Sequence, residues 1–186
     1  MTTTKTIAAV LIGAGLMLAG GQSAWAKTKI AEETLTDTDR FALEMATTAC
    51  TEGNVAELVR AMALSQVVVE HYSAETISVT RNGETKQVAR GDYVFPIGML
   101  DYSFFTPESV AAWESDDAAE LTYLELEFNQ SQSEQWAVDW VPVRWEGESE
   151  GEDPGDVAIP IGQPGTLLFQ PVGTCWQLDD DFVAAE

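Results

Sequence analysis

An apolar run of 13 residues, Ile7 to Ala19, sets the terms on which this chain can fold. Lys5 precedes it, Gly20 and Gly21 break it, and Ala24-Trp25-Ala26 supplies the small-x-small pattern that a signal peptidase cuts. Thirteen helical residues rise about 20 Å, short of a hydrocarbon core of about 30 Å. The segment therefore predicts a signal peptide over 1–26, cleaved after Ala26, and a protein that folds outside the cytoplasm, in the periplasm or secreted. With no Cys near the cleavage site, a lipidated N-terminal cysteine is excluded. Removing 26 of the 186 residues leaves 160, enough for one globular domain over 27–186 with a core of its own.

Export brings an oxidising environment, and the chain holds two cysteines, Cys50 and Cys175. Two cysteines allow one intramolecular disulfide, joining the end of the first helix to the last strand. A catalytic thiol is the weaker reading, because there is no C-x-x-C and His71 is the single histidine available to activate one.

Charge narrows the partners. The chain has 31 acidic residues against 9 basic ones, and loss of Lys5 leaves 8 against 31, a net charge of −23. Such a surface lacks the basic patch that phosphate binding needs, so nucleic acid is excluded and anionic membrane faces are disfavoured. Salt adaptation, weak cation binding or a basic partner each fit it.

Pattern gives the elements. Phe41, Ala42, Met45, Ala46, Ala49 and Cys50 recur at helical spacing over 37–50, with Asp37 or Thr38 as cap. Gly53-Asn54 interrupts, and Val55, Leu58, Val59 and Met62 mark a second helix. Val67-Val68-Val69 is β-branched and predicts a strand, with His71 at its end. Thr76–Thr80 and Thr85–Ala89 flank Arg81-Asn82-Gly83-Glu84, an Asn-Gly hairpin. Thr106-Pro107-Glu108 starts a short extra helix through Val110 and Trp113. Leu121–Phe128 and Gln135–Trp145 are strands, the second expected to bulge or lie at an edge at Pro142. Residues 146–156 form an acidic loop, and Thr166–Gln170 pairs with Cys175–Leu178.

This order predicts an α+β fold: two N-terminal helices packed on a curved, mostly antiparallel sheet. The stretch Ala49-Cys50-Thr51-Glu52-Gly53-Asn54-Val55-Ala56-Glu57-Leu58, then Val67-Val68-Val69-Glu70, then Gly173-Thr174-Cys175-Trp176-Gln177-Leu178-Asp179-Asp180, resembles the cone-like superfamily of nuclear transport factor two and ketosteroid isomerase. Asn54 stands where that superfamily usually has Asp, the acidic loop is an insertion, and 93–105 has no counterpart. The resemblance implies a cone-like sheet. The superfamily spans isomerases, cyclases, dehydratases and plain binding modules, so a fold of this kind does not set the function. In its isomerases a pocket carboxylate transfers the proton.

The chain carries few signatures of catalytic chemistry. One histidine cannot build a His-rich metal site, and no Gly-x-Ser-x-Gly elbow is present. The acidic runs at 146–156, Asp116-Asp117 and Asp179-Asp180-Asp181 lack calcium-loop spacing. No cofactor or metal is therefore expected, and no catalytic residue is assigned. Trp136, Val138 and Trp140 share one face of their strand, and Tyr123 and Glu125 share a face of the strand before. Across adjacent strands Tyr123, Glu125, Trp136 and Trp140 are the candidate lining of a pocket for a small apolar ligand. Three functions follow: a non-catalytic module binding a ligand or an envelope protein, a proton-transfer enzyme of isomerase or cyclase type using Glu125, or a cation-binding structural protein.

Overall fold

The computed structural model describes residues 34–115, 120–146 and 157–185. The leader segment, Asp116-Asp117 and nearly all of the acidic loop lie outside the described residues.

Helix α1 (Asp37–Glu52) starts where the sequence placed it and runs two residues further, but neither Asp37 nor Thr38 caps it. Its cap is Thr36, whose hydroxyl accepts from the Asp39 N–H while the Asp39 carboxylate accepts from the Thr36 N–H, a reciprocal capping box. Gly53, at φ 70°, ends the helix in the left-handed region that favours glycine. Asn54 caps α2 (Val55–Leu64) through the Glu57 N–H.

Val67, Val68 and Val69 are not a strand but the middle of a short helix, α3 (Gln66–His71). Val68 and Val69 are buried, and the Ser65 carbonyl accepts from both their N–H groups. Tertiary packing here overrides β-branched propensity.

The hairpin forms as predicted. Strand β1 (Ser73–Arg81) turns through Asn82 (φ 53°) and Gly83 (φ 79°) into β2 (Glu84–Ala89). Two positive φ values define the type I′ turn that matches strand twist. Within 93–105 lies a hairpin the sequence did not reveal, β3 (Gly98–Leu100) and β4 (Ser103–Phe105), followed by α4 (Pro107–Ser115). Next come β5 (Tyr123–Gln130), β6 (Trp136–Glu146), an unforeseen β7 (Val157–Pro160), β8 (Gly165–Val172) and β9 (Cys175–Val183).

The strands make one curved, open sheet in the order β2-β1-β9-β8-β6-β5-β4-β3, with β7 added on β6. Every pairing is antiparallel except β1 with β9. Pro142 neither bulges β6 nor marks its edge: pairing with β5 runs unbroken through it. It sits where the other side of β6 passes from β8, paired to Trp140, to β7, paired from Val143. A proline there removes no bond from either ladder.

Ile77, Val138, Leu167, Phe169 and Leu178 supply the buried sheet side chains, and Leu58, Val59, Met62, Val68 and Val69 the helical ones. Cys50 and Cys175 are joined by a disulfide, with Cα atoms 4.6 Å apart, tying the last turn of α1 to the start of β9.

Candidate ligand groove and a buried carboxylate

The register of β5 on β6 decides where the four nominated pocket residues fall. Tyr123 pairs with Val143 and Glu125 with Val141, while Leu126 pairs with Trp140 and Gln130 with Trp136. Directly paired residues share a face, and faces alternate along each strand. Tyr123 and Glu125 therefore lie on one face of the sheet and Trp136 and Trp140 on the other, so the four do not converge. Trp140 packs over Gly165, its partner on β8; a Cβ at 165 would fall inside the indole. Trp136 meets Trp176 edge to face, with centroids 6.4 Å apart. Glu125 is exposed.

Tyr123 has other aromatic company. It packs on Phe105 of β4 at 4.6 Å between centroids and lines an open groove of about 690 Å³. Trp113 of α4, Val143 and Trp145 of β6, and Ile161 beyond β7 complete its apolar wall. Odd-numbered positions place Val143, the direct partner of Tyr123, and Trp145 on the sheet face that Tyr123 occupies. Trp113 is 40% exposed and Ile161 is also exposed. Arg144 brings the groove a cation, held 2.7 Å from Glu146. The Trp145 indole N–H is shielded from solvent and has no hydrogen-bond partner.

The charged group that sequence reasoning missed is Asp181, wholly buried on β9. Regular alternation from the buried Leu178 would send Asp180 and Phe182 inward. Between Leu168 and Phe169 of β8, however, the register slips: Phe169 pairs with Leu178, and Leu168 already with Asp180. Asp179 is the extra residue of a β-bulge, which inverts the alternation, so Asp181 faces the core and Phe182 is left 46% exposed. Burial, then the neighbouring Asp180 charge, raises the Asp179 carboxyl above its ordinary range.

One oxygen of Asp181, Oδ2, accepts from the Tyr93 hydroxyl at 2.8 Å and from the Arg81 guanidinium at 2.6 Å. The other, Oδ1, is buried without a partner. Arg81 also donates to the Asp181 carbonyl at 3.1 Å, and its side chain is 40% exposed, keeping part of its charge in water. Burial, reinforced by the Asp181 carboxylate, pushes the Tyr93 hydroxyl far above the usual phenol range. The segment carrying Tyr93 is tied in turn to α3 by Gln66, whose amide donates to the Tyr93 carbonyl at 2.9 Å. This cluster thus clasps β1, β9 and the segment before β3. Neither Asp181 nor Tyr93 lines the groove of Tyr123.

No family model matches the chain, and no curated protein matches it by sequence. Among solved structures it is similar to an NTF2-like designed protein, Rd1NTF2_05 with five substitutions, at 9% identity and TM-score 0.33, covering 80% of this chain and 97% of that one. It is also similar to a DUF4783 family protein from Bacteroides uniformis, at 11% identity and TM-score 0.31, covering 77% of this chain and 95% of that one. Likenesses this slight transfer no site or activity to this chain.

Proposed function

We propose that the protein is an exported, strongly acidic, non-catalytic binding module of the cell envelope, with a cone-like sheet that holds a small, flat, apolar ligand in the Trp113–Tyr123–Trp145 groove. The observation that carries this reading is the groove itself, whose volume falls in the range of small-molecule sites, about 300–1,000 Å³. Its wall combines two indoles and a phenol, rings that grip flat molecules by stacking, with one cation to orient a polar end. The disulfide supports folding in an oxidising compartment, and among the described residues no helix is long and apolar enough to cross a membrane.

A suitable probe is 1-anilinonaphthalene-8-sulfonate, which offers flat rings to the groove and a sulfonate to Arg144. Titration should give saturable fluorescence that Trp113→Ala and Tyr123→Ala each weaken several-fold, up to about tenfold. Unchanged binding in both variants refutes the assignment. So does binding abolished by substitution elsewhere, at Phe41.

A further inference from the structure

Helix α1 has two apolar edges, and the fold uses one. Ala42, Ala46 and Ala49, at i, i+4 and i+7, are buried, and their small side chains let α1 lie close to its neighbours. Phe41 and Met45, which the sequence places in the same stripe, fall outside that seam, and Phe41 is 57% exposed. With Thr48 and Ala49 they floor a groove of about 400 Å³ on the outer side of α1. Its remaining lining is Glu44 and Glu52 from α1 and Glu57 from α2, with no basic residue among them. Glu57 is shared with Arg60 at 3.2 Å, whereas Glu44 and Glu52 enter none of the ion pairs formed among the described residues.

From this surface we infer a docking site for a basic amphipathic segment of a partner protein, distinct from the Trp113–Tyr123–Trp145 groove. Phe41 and Met45 stand one helical turn apart, matching apolar side chains at i and i+4 of an incoming helix. The glutamates flank that apolar strip where lysines or arginines of the same segment would lie. From Phe41 to Glu52 the strip runs about 16 Å, room for about three turns. A second copy of this chain is the wrong complement: it would set the same glutamates against each other on molecules of net charge −22. The same net charge draws a basic partner toward the surface before contact.

The test uses the purified protein and the amphipathic peptide acetyl-KLAKLAKKLAKLAK-amide, read by calorimetry at about 0.15 M salt, where loose surface attraction is screened. A scrambled peptide of the same composition, with its leucines spread around the helix, is the control. The amphipathic peptide should bind and the scramble bind more weakly. Phe41→Ser with Met45→Ser should weaken binding about tenfold, leaving the charge unchanged. Glu44→Gln with Glu52→Gln should weaken it too and flatten its salt dependence, while Glu125→Gln with Glu127→Gln, on the sheet, should leave it intact. Equal affinity for the two peptides overturns the proposal. So does an equal loss from the helix and sheet glutamate pairs, since either result reduces the attraction to bulk charge. A dimer that Phe41→Ser dissociates also overturns it, assigning the strip to a second copy. All the substituted side chains are exposed or half-buried, and far-UV circular dichroism verifies that each variant is folded.

Discussion

Replacing Tyr93 by phenylalanine removes one hydroxyl and keeps the ring, so no cavity opens and the packing of a residue that is almost wholly buried is preserved. The hydrogen bond to Asp181 Oδ2, 2.8 Å long and out of water, is lost. A hydrogen bond to a charged partner contributes about 1.5–3 kcal/mol. Here the upper half of that range applies, because Oδ1 already lacks a partner and Oδ2 is left with Arg81 alone. A domain of this size shifts by about 2–4 °C per kcal/mol, so Tyr93→Phe should lower Tm by roughly 5–10 °C. Differential scanning calorimetry at pH 7 measures it directly, and a cycle with Asp181→Asn should return a coupling of at least about 1 kcal/mol.

The sign of the pH dependence gives a second check on the same variant. The Tyr93 hydroxyl holds its proton more tightly folded than unfolded, so its contribution is complete below the ordinary phenol value near 10 and falls as pH rises above it. Wild type should therefore lose its advantage over Tyr93→Phe progressively above about pH 10. A Tm drop under about 1 °C at pH 7, or a gap that stays constant into alkali, would show that the Asp181 cluster is not the clasp described here.

Cys50→Ser or Cys175→Ser opens a crosslink across 125 residues and should cost up to about 4–5 kcal/mol, read by urea denaturation; an unchanged midpoint would refute a structural role. Gly165→Ala drives a methyl group into the Trp140 ring and should destabilise by about 1–3 kcal/mol, which a wild-type Tm would contradict. Asp179, whose carboxyl is raised, favours the folded state when protonated, so Asp179→Asn should stabilise at pH 7 and not at pH 3; the opposite order would refute the bulge geometry. Asp39 runs the other way. The Ser65 hydroxyl, then Thr36, hold its carboxyl below the ordinary value of 3.8, so its contribution is present above that pH and fades as pH falls further; Asp39→Asn should flatten that acid limb. If the acidic surface is a salt adaptation, NaCl and KCl should raise Tm alike, whereas a rise with micromolar calcium alone would point to a metal site.

Local chemistry was legible wherever it dominated. Asn82-Gly83 fixed a turn, because few other pairs accept positive φ twice, and the alanine and leucine spacing marked α1 and α2. Val67–Val69 misled because burial between elements, absent from a local pattern, outweighs the modest β preference of valine. The candidate pocket failed on register. Which face of β5 meets which face of β6 depends on the residues of the 131–135 turn, and a shift of one inverts every side chain. Tyr123 was found by its alternation, but its company, Trp145 and Trp113, needed the pairing of Tyr123 with Val143 and the placement of α4. Asp181 was hidden for a related reason: in a run of three aspartates, nothing local says which one the bulge will turn inward.

The parallel neighbour of β1 is β9, the last of the described strands. The first hairpin thus lacks its sheet neighbour until β9 has been made, and Arg81, Tyr93 and Cys50 lack their partners until then. Folding gated by loop closure over about 100 residues is slow, since that entropy is spent before any contact rewards it. Without β9, β1 has no parallel neighbour and the Asp181 carboxylate cannot clasp Arg81 and Tyr93. The topology itself thus makes the joining of β1 to β9 a late event in folding.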